Sequence, residues 1–310
     1  MFHYTPSSNW GTVAPGLRNF KSEIGVFAVA PDEYTRFDVF FERIIKDYHE
    51  YRLNEGHPAS DFGEGSDFPE LDPEGHFVIS TRIRCVRSVK GFPFQSLTKD
   101  KYKVLEGMIK RDLLKYTDND LKGNYYSLEK DMPQEERSLI TSHFLRNGRN
   151  VDLMQTGAIN YWPTGRGVSR NSSNTFTVIV NVEEHLRFES MEAGSHVRRV
   201  LERLKKGVAG LGAQVKYLRN KRLGWLTHSP ANLGSTIRAL VKIRLPKLTS
   251  RGRINELCES VNLKAHRLGE GEGSVHIISI KNIMGVTERE AVSQMYEGVS
   301  ELMRMETEAI

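Results

Sequence analysis

Residues 77–84 read FVISTRIR, and this stretch decides the fold. Side chains two positions apart on a strand face the same side, so Arg82 and Arg84 project together beside Ser80. The apolar side chains Phe77, Ile79 and Ile83 face the other way. Neighbouring guanidinium groups repel each other unless an anion lies between them, and their planar forks match phosphate oxygens. The stretch therefore predicts a half-buried strand whose polar face binds an anion.

A second stretch, residues 237–245, repeats this design. One face carries Ile237, Ala239, Val241, Ile243 and Leu245, and the other carries Arg238, Lys242 and Arg244. Arg187 follows a third predicted strand at 175–182, which is rich in Val, Ile and Thr. A solvated sheet face explains any single arginine, but arginines on three strands favour a shared polyphosphate ligand. The sequence contains no Walker-type phosphate loop, so guanidinium side chains would have to hold a nucleotide.

The rest of the chain mixes predicted helices and strands. Apolar spacing predicts helices at 33–49, 99–114, 133–143 and 197–211, and a strand at 274–280. The last helix begins at Thr287, where Glu290 completes a capping-box pattern. Residues 1–20 are expected to be poorly ordered, and the Gly- and Pro-rich segment 54–76 marks a linker and domain boundary. Because no regular βαβ rhythm occurs, the predicted fold class is α+β.

The composition limits which binding partners and which cellular location we expect. The chain has 310 residues, 27% charged and 38% hydrophobic, as in ordinary globular proteins. Its net charge is +5, but no long basic run occurs, so we expect no nucleic-acid partner. No apolar run has membrane-spanning length, no secretory-type segment opens the sequence, and two cysteines, Cys85 and Cys258, exclude a disulfide framework. We therefore expect no membrane partner and a cytoplasmic location.

Five segments carry motifs in a fixed order and spacing. They are the helical segment 34–49, which ends in DYH, FVISTRIRC at 77–85, YWPTGRG at 161–167, VNVEEHLR at 180–187 and PANLGSTIR at 230–238. In this order they resemble the phosphagen kinases, the ATP:guanidino phosphotransferases, and are most similar to the arginine kinases. The resemblance covers about residues 22–310.

The resemblance implies a fold and a set of ligands. It implies a small α-helical N-terminal domain with its linker at 21–74, and a catalytic domain at 75–310 built on an antiparallel sheet flanked by helices, similar to that of glutamine synthetase. The ligands would be ATP or ADP, a small guanidino substrate, and Mg²⁺ bound through nucleotide oxygens and water, with no metal ligand from the protein. The protein would be a monomer or a dimer.

The resemblance also assigns residues to the site. The nucleotide would be bound by Ser80, Arg82, Arg84, Arg187 and Arg238, with His185 on the adenine. Glu183 matches the principal catalytic glutamate, and a carboxylate is suited to align a guanidinium and accept its proton. Phosphoryl transfer depends on positioning and charge neutralisation more than on covalent help.

The chain departs from the family pattern at the reactive cysteine. Ser229 occupies that position, which is both catalytic and substrate-binding in the family, and His228 precedes it. A serine hydroxyl stays neutral near pH 7, whereas the family's thiolate carries charge. Loss of one charged hydrogen bond costs about 1.5–3 kcal/mol, so activity is expected to be reduced and not abolished. A Ser–His catalytic pair is disfavoured because adjacent strand residues point to opposite faces.

Further departures affect the substrate side. Residues 265–273 form a shortened loop, in which Arg267 and Glu270 best match a fifth nucleotide-binding arginine and a second catalytic glutamate. The loop expected to bind the substrate carboxylate corresponds to Ser22, Glu23 and Gly25. Glu23 would place a negative charge opposite the carboxylate of arginine, unless it points to solvent. The family's helices upstream of this loop are missing, so the small domain is expected to be truncated.

These features leave three functions open. The first is transfer of the γ-phosphoryl group of MgATP to a guanidine, most simply L-arginine, with reduced activity. The second is an inactive nucleotide-binding pseudoenzyme with a regulatory or scaffolding role, which Ser229 and the shortened loop favour. The third is a bacterial-type protein-arginine kinase, which shares the catalytic domain. Those kinases lack the small domain that segment 34–49 indicates, so this segment argues against the third function.

Overall fold

The computed structural model describes residues 10–19, 22, 24–53, 56–64, 67–94, 97–130, 132–134, 137, 138, 154, 156–267 and 273–309. The helices are α1 (Trp10–Arg18), α2 (Glu33–Arg36), α3 (Asp38–His49), α4 (Lys99–Leu113), α5 (Val197–Gly212), α6 (Pro246–Ser250), α7 (Ile254–Ser260) and α8 (Glu288–Glu308). The strands are β1 (Val78–Arg87), β2 (Gly123–Ser127), β3 (Gly167–Asn171), β4 (Phe176–Val180), β5 (Leu186–Ala193), β6 (Arg219–Asn220), β7 (Gly224–Trp225), β8 (Arg238–Arg244), β9 (Leu263–Arg267) and β10 (Val275–Ile280).

Eight strands form one sheet in the order β2-β3-β4-β5-β1-β8-β10-β9, and all neighbouring pairs are antiparallel. α5 packs on β1 and β5, and α8 packs on β8 and β10. The main core between sheet and helices includes Ile83, Leu204, Val241 and Met295, all fully buried. These features confirm the predicted α+β class, with a large antiparallel sheet flanked by helices.

Burial alternates along β1 from Ser80 to Arg87 as its sequence predicts. A register shift between Val78 and Ser80 interrupts the pattern, so Val78 is buried and Ile79, predicted on the apolar face, is partly exposed. The buried positions are Thr81, Ile83, Cys85 and Arg87, and the partly exposed ones are Ser80, Arg82, Arg84 and Val86. β8 alternates in the same way, with Ala239, Val241 and Ile243 buried. Because the apolar face of each strand packs against the helices, the arginines of both strands are left on the opposite face of the sheet.

The helix predicted at 33–49 is divided in two. Phe37, with φ −117° and ψ 38°, lies outside the helical region and separates α2 from α3. The apolar faces of both helices contribute to a second core, which comprises Ala28, Tyr34, Phe41, Ile45, Phe94, Leu223, Leu226, Leu233 and Met284. This second core joins the N-terminal helices to the segments that flank β7.

The predictions at the N-terminus and between strands need correction. Poor order at 1–20 is wrong for Trp10–Arg18, which form α1, and the buried Thr12 hydroxyl donates a 2.9 Å hydrogen bond to Glu33. Residues 1–9 lie outside the described residues, as does most of the helix predicted at 133–143. The prediction did not include β2, β3, β5 and β9, because their sequences lack a clear apolar alternation.

No helix in the described part of the chain is long and apolar enough to cross a membrane. Cys85 and Cys258 are both free and buried. Burial raises the pKa of each thiol to about 11, so both cysteines behave as small apolar side chains.

Candidate active site

Antiparallel pairing of β1 with β5 and β8 brings the arginines together. Arg84 lies directly opposite Glu189 on β5 and Arg238 on β8, and Arg187 lies opposite Val86. Residues directly opposite each other share a face of the sheet. We define the arginine face as Ser80, Arg82, Arg84, Arg187, Glu189, Arg238 and Lys242. The register therefore places all four predicted phosphate-binding arginines on one surface.

The charged groups of the arginine face lie close enough to affect one another. Burial and the guanidinium groups of Arg187 and Arg238 lower the pKa of Arg84 well below its ordinary value, while Glu189 and Glu183 oppose that shift. An anion between such guanidinium groups would relieve their repulsion and form charge-assisted hydrogen bonds. The surface is therefore chemically suited to a polyphosphate.

Glu183 lies in the turn between β4 and β5, beside this surface. It lines a small cavity with Val86, Ile179, Val182, Glu184 and Arg187. Its carboxylate interacts electrostatically with Arg84 and with His228. A candidate base is thus within electrostatic reach of both the arginine face and the residue that precedes Ser229.

Glu184 anchors the segment that carries Ser229. We call this segment, residues 227–230, the serine turn. No sequence motif assigned a role to Glu184. Its buried carboxylate accepts the N–H of His228 at 2.9 Å and that of Ser229 at 3.3 Å. Burial, reinforced by Glu183, raises the pKa of Glu184 to about 8, and the N–H donors oppose the rise. The only sequence signal for this role was the presence of two adjacent glutamates. In the fold, Glu184 is the one whose side chain is buried.

The N-terminal part of the chain holds the serine turn from another side. Tyr34 Oη–H and His49 Nε2–H each donate a 2.9 Å hydrogen bond to a carbonyl of the turn, at residues 227 and 230. The N–H of Ala28 donates to the carbonyl of residue 228 at 2.8 Å. Ser229 is 5% exposed, so its hydroxyl lies in a turn fixed by α2, α3 and Glu184 together.

Arg238 connects the arginine face to the residues that follow the serine turn. Its Nη2–H donates to the carbonyl of Ala231 at 2.8 Å. Ala231 belongs to a short 3-10 helix at Pro230–Asn232, whose N-cap residue is Ser229. This hydrogen bond links Arg238 to the segment that follows the serine turn.

His228 is engaged with the N-terminal part and not with the Ser229 hydroxyl. Its Nδ1–H donates to Ala28 O at 2.6 Å, and its ring stacks on Phe27 with the centroids 5.0 Å apart. Among the described residues, Nε2 has no hydrogen-bond partner. Burial lowers the pKa of His228 to about 4. The ring is therefore neutral near pH 7, and its contacts argue against a Ser–His pair. Residues 228 and 229 lie in a turn and not in a strand, so the reason is these contacts and not the strand geometry expected from the sequence.

The predicted adenine contact of His185 is wrong. The ring is 1% exposed, Nδ1 accepts the N–H of Val89 at 3.0 Å, and Nε2–H donates to Pro93 O at 2.8 Å. Burial lowers its pKa to about 4. Both ring nitrogens are used by the backbone, so His185 fixes the loop after β1 and cannot bind a nucleotide base.

The segment expected to bind a substrate carboxylate approaches α1. Gly25 has φ +66°, a conformation that favours glycine, and its carbonyl accepts the N–H of Gly16 at 2.7 Å. A Cβ on Gly16 would lie 2.7 Å from that oxygen, so a side chain would not fit there. The Ser22 hydroxyl accepts the N–H of Gly25 at 3.1 Å. Glu23 lies outside the described residues.

The segment expected to supply Arg267 and Glu270 begins in β9, at the edge of the sheet. Arg267 ends β9, where its backbone pairs with His276 of β10, and Glu270 lies outside the described residues. β9 is three strands from β1 in the sheet order. Within the described ranges, no group of three or more His, Cys, Asp or Glu side chains is arranged to hold a metal ion.

The glycine-rich loop at 161–167 is built around a structural arginine. Arg166 is fully buried and donates to the carbonyls of Ala158 and Thr164 at 2.7 Å and of Asn181 at 3.1 Å. Its guanidinium lies 3.9 Å from the ring centroid of Tyr102. Arg166 therefore lies apart from the arginine face and supports the turn that leads to Glu183.

Comparison with known proteins agrees with this architecture. Residues 104–309 match the family model for the ATP:guanido phosphotransferase C-terminal catalytic domain. The chain is 40% identical to an arginine kinase of Artemia franciscana over 304 residues, covering 96% of this chain and 85% of that protein. The duplicated taurocyamine kinase of Schistosoma mansoni superposes with a TM-score of 0.88 and 32% identity, over 96% of this chain and 42% of that one. Lombricine kinase superposes with a TM-score of 0.87 and 29% identity, over 96% of this chain and 84% of that one. The chain belongs to the ATP:guanido phosphotransferase family, the phosphagen kinases.

Proposed function

We propose that this protein transfers the γ-phosphoryl group of MgATP to a guanidino substrate. The observation that carries the proposal is the register that sets Arg84 beside Arg187 and Arg238, with Glu183 in electrostatic contact. This arrangement combines a polyanion-binding surface with a carboxylate suited to a cationic nucleophile.

Each candidate residue has a defined role in this proposal. The arginines, with Ser80, would bind the phosphate oxygens and neutralise charge as the phosphoryl group moves. Mg²⁺, bound through the nucleotide, would supply further charge neutralisation. Glu183 would orient the guanidinium and accept a proton from it. Ser229 would hydrogen-bond the same guanidinium as a neutral hydroxyl, so we expect lower activity than a thiolate would support.

The substrate is the least constrained part of the proposal. L-arginine is the simplest candidate, because the curated relative from Artemia franciscana is named an arginine kinase. The two solved relatives are named for taurocyamine and lombricine. Since relatives with one fold are named for different substrates, the choice depends on the residues that face the non-reacting end of the guanidine, for which Ser22, Glu23 and Gly25 are the candidates.

The domain division and the location are also proposals. Residues 21–74 would form the small domain and linker, and residues 75–310 the catalytic domain, which contains the whole family match at 104–309. The linker is tied to the catalytic part by Glu288, which accepts the Ser60 hydroxyl at 2.8 Å and the Asp61 N–H at 2.9 Å. Two buried free cysteines favour a cytoplasmic location.

A second candidate is an inactive protein that binds nucleotide. Ser229 favours it, because a neutral hydroxyl stands where the family's reactive thiolate would be. This candidate keeps the arginine face as a nucleotide site but assigns no proton transfer to Glu183.

An ADP-release assay separates the two candidates. The protein, with MgATP, would be given L-arginine and a panel of other guanidines, and MgADP binding would be measured by titration calorimetry. We expect turnover with at least one guanidine, loss of turnover with retained MgADP binding in Glu183→Gln, and at least about tenfold weaker MgADP binding in Arg84→Gln. Arg244→Gln is the matched control, because Arg244 lies at the exposed end of β8 and should leave both measurements unchanged.

Absence of turnover with every guanidine, together with measurable MgADP binding, would rule out the phosphotransferase and leave the inactive candidate. Absence of MgADP binding would overturn both. Equal losses in Arg84→Gln and Arg244→Gln would mean that binding depends on overall charge and not on the arginine face.

A further inference from the structure

A carboxylate lies within the arginine face. Glu189 is on β5 directly opposite Arg84, so its side chain projects from the same side of the sheet. Oε2 of Glu189 accepts a hydrogen bond from Arg187 Nη2 at 3.2 Å, and Oε1 lies 3.7 Å from Arg82 Nε. The Glu189 side chain is 18% exposed, so bulk water screens these interactions only in part.

Two of the four candidate phosphate-binding arginines therefore have a carboxylate partner within the protein itself. Glu189 also opposes the effect of Arg187 and Arg238 on the pKa of Arg84. Its charge thus stabilises a group of guanidinium ions that would otherwise repel one another. A polyphosphate would make the same type of charge-assisted hydrogen bond with the same guanidinium groups.

We propose that Glu189 is an internal counter-anion of the polyphosphate site, which holds Arg82 and Arg187 while the site is empty and competes with the nucleotide for them. The inference rests on the proposed function in one respect, namely that the arginine face binds the phosphates of a nucleotide.

Two consequences follow from this competition. Arg82 and Arg187 must exchange a carboxylate for phosphate oxygens when the nucleotide binds, so affinity is lower than four unpaired arginines would give. The carboxylate then remains beside the phosphates and repels them. This repulsion is larger for metal-free polyphosphate than for a Mg²⁺-neutralised nucleotide, because the metal-free ligand carries more negative charge. Glu189 therefore favours the metal-bound form.

The test compares Glu189→Gln with a matched control on the same strand. Glutamine keeps the size of the side chain and removes the charge. Glu192→Gln is the control, because Glu192 is 16% exposed and pairs with Arg199 at 2.9 Å and Arg203 at 2.8 Å. Glu192 lies opposite Thr81, whose side chain is buried on the helix-covered face. The two variants therefore lose the same charge from opposite faces of β5.

Binding of metal-free tripolyphosphate and of MgADP would be measured by titration calorimetry for wild type and both variants, and thermal unfolding would be measured with and without each ligand. In Glu189→Gln we expect tripolyphosphate to bind about tenfold more tightly and MgADP to gain less. The ligand-free midpoint of thermal unfolding should fall, and the increase on adding tripolyphosphate should exceed that of wild type. Glu192→Gln should bind both ligands as wild type does.

The outcomes separate this inference from the proposed function. If wild type binds tripolyphosphate and Glu189→Gln binds it equally tightly or more weakly, the counter-anion role alone would be overturned. Weaker MgADP binding with unchanged tripolyphosphate binding would also overturn it, and would assign Glu189 to the metal. Tripolyphosphate binding in Glu189→Gln but not in wild type would support the inference. Absence of binding in every protein would overturn both it and the proposed nucleotide site.

Discussion

The carboxylate of Glu184 accepts the backbone N–H of His228 at 2.9 Å, and this hydrogen bond joins the β4–β5 turn to the serine turn. Glu183 and Glu184 both line the small cavity beside the arginine face, and Glu183 also interacts electrostatically with Arg84. Two consecutive glutamates thus have different tasks, one beside the proposed substrate and one beneath the segment that presents Ser229. Glu184 is a positioning residue, because it acts on the site through the serine turn.

Removal of this acceptor should disturb the serine turn and spare nucleotide binding. Glu184→Ala leaves the N–H groups of His228 and Ser229 without their acceptor, at about 1–3 kcal/mol each. At pH 5, where the proton-linked cost of Glu184 is small, we expect the free energy of unfolding to fall by about 2 kcal/mol or more. We expect turnover to fall about tenfold or more through misplacement of Ser229. Urea unfolding, calorimetry and the ADP-release assay measure these effects. A large loss of MgADP affinity would contradict a role confined to the turn.

The same carboxylate should give stability a distinctive pH dependence. The folded protein holds the pKa of Glu184 at about 8, above its ordinary value of 4.5. As pH rises through this interval the unfolded chain releases its proton first, so Glu184 lowers stability progressively. Relative to wild type, Glu184→Gln should therefore gain stability between pH 5 and pH 8. If the free energies of unfolding of wild type and Glu184→Gln change in parallel between pH 5 and pH 8, the folded state does not retain that proton.

Acid should destabilise the protein through three buried histidines. His49, His185 and His228 each have an ordinary pKa of 6.5 that burial lowers to about 4. Below pH 6.5 the unfolded chain binds protons that the folded chain does not, so stability falls with pH at about 1.4 kcal/mol per pH unit for each histidine. Urea unfolding from pH 7 to pH 4.5 measures the slope. His228→Phe should reduce this slope by about 1.4 kcal/mol per pH unit, which is the contribution of one histidine. An unchanged slope would mean that His228 titrates normally.

Replacing the hydroxyl of Ser229 with a thiol should raise activity. In Ser229→Cys, a thiolate could form a charged hydrogen bond to the guanidinium, worth about 1.5–3 kcal/mol, or about one to two orders of magnitude in turnover. The gain should appear in turnover and not in MgADP affinity. Ser229→Ala is the control and should not exceed wild type. Equal activity of the Cys and Ser proteins would show that charge at this position does not limit the reaction.

The linker should depend on one buried carboxylate in the first turn of α8. Glu288 Oε1 accepts from Arg87 Nη2 at 3.0 Å and Trp225 Nε1 at 2.8 Å, and Oε2 accepts the Asp61 N–H at 2.9 Å. Both Arg87 and Glu288 are almost fully buried, so Glu288→Ala leaves an uncompensated charge at about 3–5 kcal/mol. The matched control is Glu290→Ala, which removes only half of the capping box, at about 1 kcal/mol. Urea unfolding compares the two variants. Equal losses in the free energy of unfolding would contradict a dominant role for the hydrogen bonds of Glu288.

Local patterns were enough to predict the elements with the strongest periodicity. The alternation in β1 and β8, the length of α4 and the Thr287–Glu290 capping box all depend on neighbours within a few residues. Helix α1 contacts other segments through Thr12 and Gly16. The apolar spacing continues through Phe37, so the break at this residue has no signal in the local sequence. Strand β5 is not predicted from the sequence, although it is eight residues long and carries Arg187 and Glu189.

The sequence by itself determined the family, the α+β class and the presence of arginines on one face of each of two strands, because alternation and motif spacing are local properties. Only the tertiary structure decided which charges meet. Strand register is set by pairing between segments far apart in the chain, and it puts Glu189 opposite Arg84. It also turns Glu184 toward the serine turn and His185 into the loop after β1. Burial then decides the charge of each group, because desolvation shifts a pKa only after distant segments have enclosed it.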